Sequence, residues 1–120
     1  METPKIFESE YRFCLLLWDH EPVNSTRLAA LCKEQLGWSK ATTYTVIRRL
    51  AERGVLKNEN ATVTALVSKA QAQESRLEEM VEETFEGSLP AFIAAFSRSK
   101  RLTAADVAQL QALIDGYREE

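Results

Sequence analysis

The stretch from Trp38 to Leu56, WSKATTYTVIRRLAERGVL, limits what this chain can fold into more than any other. Ser39 followed three residues later by the polar Thr42 is a helix start signal. A side-chain oxygen at that position accepts from a backbone N–H that the helix leaves unpaired. Thr43, Val46, Ile47 and Leu50 recur at helical spacing and predict a buried face. Ala41, Thr42, Thr45, Arg48 and Arg49 share the opposite side. Gly54 stops the helix, as a residue able to take positive φ. Small and hydroxylated side chains permit close approach, and the two arginines can read guanine or neutralise phosphate. The pattern therefore suits a helix lying in a DNA groove. It also suits an amphipathic helix whose charges face water, so the neighbouring segments have to decide.

Ile6 to His20 reads as a first helix, with Phe7, Tyr11, Cys14, Leu17 and Trp18 in register and Phe13, Leu15 and Leu16 adding apolar surface. Glu21-Pro22 ends it, because the residue before proline avoids the helical region. Val23 to Leu36 gives a second helix. Asn24 and Ser25 are its cap candidates, Leu28, Leu31, Cys32 and Leu36 its buried stripe, and Gly37 its stop. Two short helices joined by a tight glycine connection form a helix-turn-helix signature, with the second as reader. Beyond Gly54, Val55-Leu56-Lys57 is briefly apolar, Asn58-Glu59-Asn60 is turn chemistry, and Ala61 to Val67 is rich in β-branched residues. This predicts a two-stranded hairpin. Three helices and then a hairpin is the order of a winged helix-turn-helix, assigned to residues 1–68.

Three amphipathic helices follow: Ser68 to Phe85, Ser88 to Phe96, and one that starts at the capping-box pair Thr103 and Asp106. Leu77, Met80, Val81 and Phe85 line the first, and Leu89, Phe92, Ile93 and Phe96 the second. Val107, Leu110, Leu113, Ile114 and Tyr117 line the third. Residues 69–120 are too few for a self-sufficient globule. The economical expectation is that these stripes meet a second copy in a two-fold dimer. The fold class is thus mainly α with a small β-hairpin wing, followed by a C-terminal helical dimerisation segment.

A formal net charge of −3 argues at first against nucleic acid, but the charge is unevenly spread. Residues 1–70 hold ten Lys and Arg against eight Asp and Glu, whereas residues 71–120 hold five against ten. Between Trp38 and Lys57 there are five basic residues and one acidic. The field at a contact surface matters more than the total. No apolar run approaches the ~20 residues of a membrane span, and METPKIFESE lacks a signal pattern. A cytoplasmic protein without membrane insertion is expected. Cys14 and Cys32 fall in apolar helical stretches and read as buried free thiols. The single histidine, His20, sits at a helix end as a polar cap. Glu78, Glu79, Glu82 and Glu83 stand at i, i+4 spacing, a solvated face. With no metal-ligand spacing and no glycine-rich phosphate loop, no enzymatic activity, metal or cofactor is expected. A DNA-binding repressor, a ligand-sensing winged-helix regulator and a winged helix used only for protein contact are the functions left.

Several motifs in order narrow these further. They are Glu10 with Leu17-Trp18, then Trp38-Ser39, Thr42-Thr43, Thr45-Val46-Ile47, Arg49-Leu50 and Gly54. Downstream come Leu66-Val67-Ser68, Phe85-Glu86-Gly87-Ser88-Leu89, Ala94-Ala95-Phe96 and Leu102-Thr103. Together they resemble the BlaI/MecI/CopY family of penicillinase-repressor-type transcriptional regulators, over about residues 6–116. The resemblance implies a homodimeric winged-helix repressor on a palindromic double-stranded operator. It also implies release by an inducing signal, in which a membrane sensor protease leads to cutting within the dimerisation region. On that reading Lys40, Ala41, Thr42, Thr45, Arg48 and Arg49 meet the major groove, with Ser39 near phosphate. The chain departs from the family in three places. Its wing is the short KNENATVTA, without arginine or tyrosine at the tip. Its tail is DGYREE, without the paired cysteines of the copper-responsive branch. The family's Asn-Phe cleavage bond falls on Ala95-Phe96, followed by a basic stretch, Ser97 to Arg101, expected to be an exposed linker.

Overall fold

Six helices and three short strands follow one another along residues 2–117, the part described by the computed structural model. They are α1 (Glu8–His20), β1 (Val23–Asn24), α2 (Ser25–Leu36), α3 (Lys40–Glu52), β2 (Leu56–Glu59), β3 (Thr62–Ala65), α4 (Lys69–Phe85), α5 (Leu89–Ser99) and α6 (Ala104–Gly116). This is a winged helix with further helices after it. The apolar stripes of the first three helices converge on one core. Phe13, Cys14 and Leu17 of α1 meet Leu28 and Cys32 of α2, Ile47 and Leu50 of α3, and Leu56 and Val63 of the hairpin. Phe13 stacks on Trp38 with ring centroids 6.0 Å apart. Each large side chain buried here is worth roughly 1.5–3 kcal/mol.

The elements differ from expectation mostly at their ends. The first helix begins at Glu8 rather than Ile6, because the Glu10 carboxylate accepts the Phe7 N–H at 2.9 Å and leaves Phe7 extended. Val23 and Asn24 are not helical. They form β1, paired antiparallel with β3 through Val23↔Val63 and Asn24↔Thr62, so the sheet has three strands in the order β1-β3-β2. Asn24 is the cap of α2 and accepts from the Thr26 N–H at 2.8 Å. The hairpin turn lies at Asn60-Ala61, where both residues have positive φ (53° and 63°). Asn58 and Glu59 belong to β2, opposite Val63 and Thr62. A two-residue turn with positive φ matches the strands' twist, which a longer loop at 58–60 would not.

Helix α4 starts at a reciprocal pair: Ser68 Oγ accepts from Gln71 N–H at 3.1 Å, and Gln71 Oε1 from Ser68 N–H at 2.8 Å. Helix α5 runs to Ser99, so the expected linker from Ser97 to Arg101 is a correction. Ser97 and Ser99 hydroxyls donate to the Ala94 and Phe96 carbonyls and stay helical, and only 100–103 separate α5 from α6. Thr103 and Asp106 cap α6 reciprocally.

The chain forms two compact units, one up to Leu77 and one from Glu78 onward. Sequence alone divides it at 68/69. In the first unit Trp18 Nε1 donates to the Val67 carbonyl at 2.9 Å, Ala72 is buried, and Arg76 meets Glu8 at 2.7 Å and Tyr11's ring at 4.1 Å. In the second, Phe92 packs against Phe85 and Phe96, and no residue of α5 or α6 is buried within the single chain.

Candidate nucleic-acid interface

The start of α3 is built by its own cap. Ser39 Oγ accepts from the Thr42 N–H at 3.1 Å and donates to Thr42 Oγ1 at 2.9 Å. The Thr43 hydroxyl turns inward and donates to the Ser39 carbonyl at 3.2 Å. Gly37, at φ 70°, closes α2 and directs the chain into α3; a side chain there would be strained. The two faces of α3 separate cleanly. Thr43, Val46, Ile47 and Leu50 are buried. Lys40, Ala41, Thr42, Arg48 and Arg49 are exposed, Thr45 is half-buried, and Ser39 is exposed beside them.

Not every cation of the stretch belongs to that surface. Arg53 turns toward α1, where Nη1 donates to the Lys5 carbonyl at 2.8 Å and Nη2 pairs with Glu10. Its guanidinium also lies 5.2 Å from the Phe7 ring centroid. Lys57 sits 3.8 Å from Glu59 on the hairpin. Lys40, Arg48 and Arg49 remain on the outer face of α3. Burial would raise the Glu10 carboxyl, but the Arg53 hydrogen bond, the Phe7 N–H and the charges of Arg53 and Arg49 outweigh it. Glu10 is therefore held below the usual carboxylate range.

Tyr44 is the residue that sequence reasoning missed. It is half-buried on α3. The hydroxyls of Thr26 and Ser25 at the start of α2, together with the Lys40 charge, lower its pKa against some desolvation, and its ring packs against the core. Lys40 Nζ lies 5.8 Å from its ring centroid. The signal was the i, i+4 spacing of Lys40 and Tyr44. The wing tip is neutral and exposed, and its Ala61 carbonyl accepts from the Ser25 N–H at 2.7 Å.

Both cysteines are free and buried. Burial and the Glu10 charge push the Cys14 thiol up to about 12, and burial also raises Cys32. Neither is a reactive thiolate at neutral pH. His20 Nδ1 is 2.8 Å from the Leu16 carbonyl, a local helix-end contact. Among the described residues no three His, Cys, Asp or Glu side chains gather where a metal ion could sit. No described helix is long and apolar enough to cross a membrane.

In the second unit, Phe92, Ile93 and Phe96 of α5 face Leu110 and Leu113 of α6 across an open groove of about 470 Å³. Lys100, Arg101 and Asp106 also line it. Leu77, at the end of the first unit, and Leu89, Leu113, Ile114 and Tyr117 are exposed in the single chain; Met80, Val81, Phe85 and Leu110 are half-buried. Ala95 and Phe96 lie within α5.

The sequence profile of the penicillinase repressor family matches residues 6–116. The chain belongs to this family. It is similar to the penicillinase repressor of Bacillus licheniformis, at 18% identity over 121 residues, covering 98% of this chain and 94% of that protein. It is also similar to a protein of Latilactobacillus sakei described as an uncharacterized 16.5 kDa protein in the ptsI 3′ region. That match is 29% identical over 116 residues, covering 93% of this chain and 80% of the other. A penicillinase repressor family chain is a DNA-binding transcriptional repressor. Several motif residues that carry the family resemblance are scaffold: Glu10 holds Arg53, Trp18 holds the Val67 carbonyl, and Trp38 stacks on Phe13. Thr42, Thr45 and Arg49 are the motif residues left at the outer surface of α3.

Proposed function

We propose that this repressor acts as a homodimer on a palindromic operator, with α3 of each copy in the major groove. One observation carries the reading: α3 buries Thr43, Val46, Ile47 and Leu50 and leaves Lys40, Ala41, Thr42, Arg48 and Arg49 on one outer face beside Thr45. Short side chains at its N-terminal end let the backbone approach base edges, and the cations answer phosphate and guanine. Ser39 sits where the α3 N-terminus favours a phosphate. The neutral wing leaves most of the contact to α3.

The dimer reading is supported by α5 and α6, which have no fully buried residue in the single chain yet carry apolar side chains on their surfaces. A second copy is the occupant that satisfies them. Linking two weak half-site contacts raises affinity through effective concentration. The test is a gel shift on fragments from the chain's own genome, alongside sedimentation. A retarded palindromic fragment with dimer stoichiometry is expected. A chain that binds no duplex, or binds as a monomer, overturns the reading.

Release has two forms. A membrane sensor protease could lead to a cut at Ala95-Phe96, which needs local opening of α5. Alternatively a ligand favours an arrangement of the two copies that does not bind DNA. Ala95, in place of the asparagine expected from the family resemblance, favours the second. Mass spectrometry of the repressor from induced cells decides: an intact chain supports it, and a fragment ending at Ala95 overturns it.

A further inference from the structure

Tyr44 stands where three parts of the first unit meet. Its ring is partly buried against the core of the first unit, and the hydroxyls of Thr26 and Ser25, in the first turn of α2, lower its phenol pKa. The backbone N–H of that same Ser25 donates to the Ala61 carbonyl of the wing turn at 2.7 Å. On α3, one turn before Tyr44, Lys40 places its ammonium 5.8 Å from the ring centroid. A flexible lysine at the exposed start of a helix ordinarily samples many rotamers, and ordering it on binding costs free energy. A ring held against the core removes much of that freedom before DNA arrives.

We propose that Tyr44 is a positioning residue of the DNA-contacting surface: packed against the core of the first unit, its ring holds the Lys40 ammonium ready for backbone phosphate. This rests on the reading of α3 as the DNA-contacting helix and adds a residue that the outer-face pattern does not include. Tyr44 acts through Lys40. Its loss therefore weakens what Lys40 contributes and leaves the contribution of Arg48 intact.

The experiment is a double-mutant cycle on the full-length protein, with a short duplex selected from a random pool by the wild-type chain. Affinity is measured across a range of salt. Lys40→Ala should flatten the slope of log K against log salt by about 0.9, the share of one phosphate contact. Tyr44→Leu should weaken binding about two- to fivefold, the range of an exposed cation–π contact. In the Tyr44→Leu background, Lys40→Ala should then cost less than it does in the wild type, whereas Arg48→Ala should cost the same. Tyr44→Phe keeps the ring and should keep the salt slope. It also serves if the leucine variant fails to fold, because ring-current shifts on the Lys40 side-chain protons of the free protein should persist in it.

Additive effects of Lys40→Ala and Tyr44→Leu, with wild-type binding intact, overturn the proposal alone. So does the absence of ring-current shifts at Lys40 in the free wild-type protein. A wild-type chain that selects no duplex overturns the reading of function, and the proposal with it.

Discussion

Three arginines close together on and just after α3 have different surroundings. Arg48 is exposed, with no ion pair among the described residues. Arg49 is exposed too, but its charge reaches Glu10. Arg53 is tied to Glu10 and to the Lys5 carbonyl. Arg48→Ala is therefore expected to cost operator binding about 1–3 kcal/mol and to relax specificity at one position per half-site, as a guanine contact would. Selection from a random pool checks this; unchanged affinity and specificity at moderate salt would contradict it. Arg53→Ala should act on stability instead, because it strands the Glu10 carboxylate, which keeps 9% of its side-chain surface. A loss on the order of 2 kcal/mol is expected, less than the ~3–5 of a fully buried pair, because Arg53 keeps 29%. Acid should do the same. Glu10 is held below its ordinary value of 4.5, so its contribution is complete above the carboxyl pKa of the unfolded chain. The contribution is lost as pH falls through the lower folded value. Thermal unfolding followed downward from pH 5 should show that loss, and Glu10→Gln should remove the Glu10 share of it.

At the scale of elements, long periodic segments were legible and short or locally decided ones were not. Helix α3 could be read because its cap, its four buried positions and Gly54 all repeat one message. Strand β1 could not, since two residues carry no period and Val23 also fits a helix start. The wing turn was misplaced because the sequence offers Asn58, Glu59 and Asn60 as turn formers, while the ladder pairs Asn58 with Val63. That pairing forces Ala61 into positive φ, a conformation that costs most L residues roughly 1–2 kcal/mol. Ala61→Gly is thus expected to stabilise the protein by about 0.5–1 kcal/mol, part of the gain being lost to the freer unfolded chain. A shift of the urea midpoint to higher concentration, with the slope unchanged, is the measurement. At the candidate interface the outer face of α3 was readable from spacing. The inward turn of Arg53 and the packing of Tyr44 against the core were not, because both depend on residues that lie far away in sequence.

At the scale of the whole molecule, the first compact unit extends to Leu77 and needs Ala72 and Arg76. A chain ending after Leu77 should fold as a monomer and bind DNA weakly. One ending at residue 70 should be less stable, because Ala72 and the Arg76 contacts to Glu8 and Tyr11 go with the removed part. Circular dichroism and sedimentation of the two fragments compare these outcomes, and a dimer after Leu77 would contradict the assignment of the later helices. Those helices carry a wider consequence. No residue of α5 or α6 is fully buried in the single chain, so in the proposed dimer much of their order would come from the other copy, and association and folding would become one equilibrium. The melting temperature should then climb with protein concentration. Gene dosage would set how many repressors exist and also what fraction of them is whole, so operator occupancy would rise more steeply than the amount of protein made.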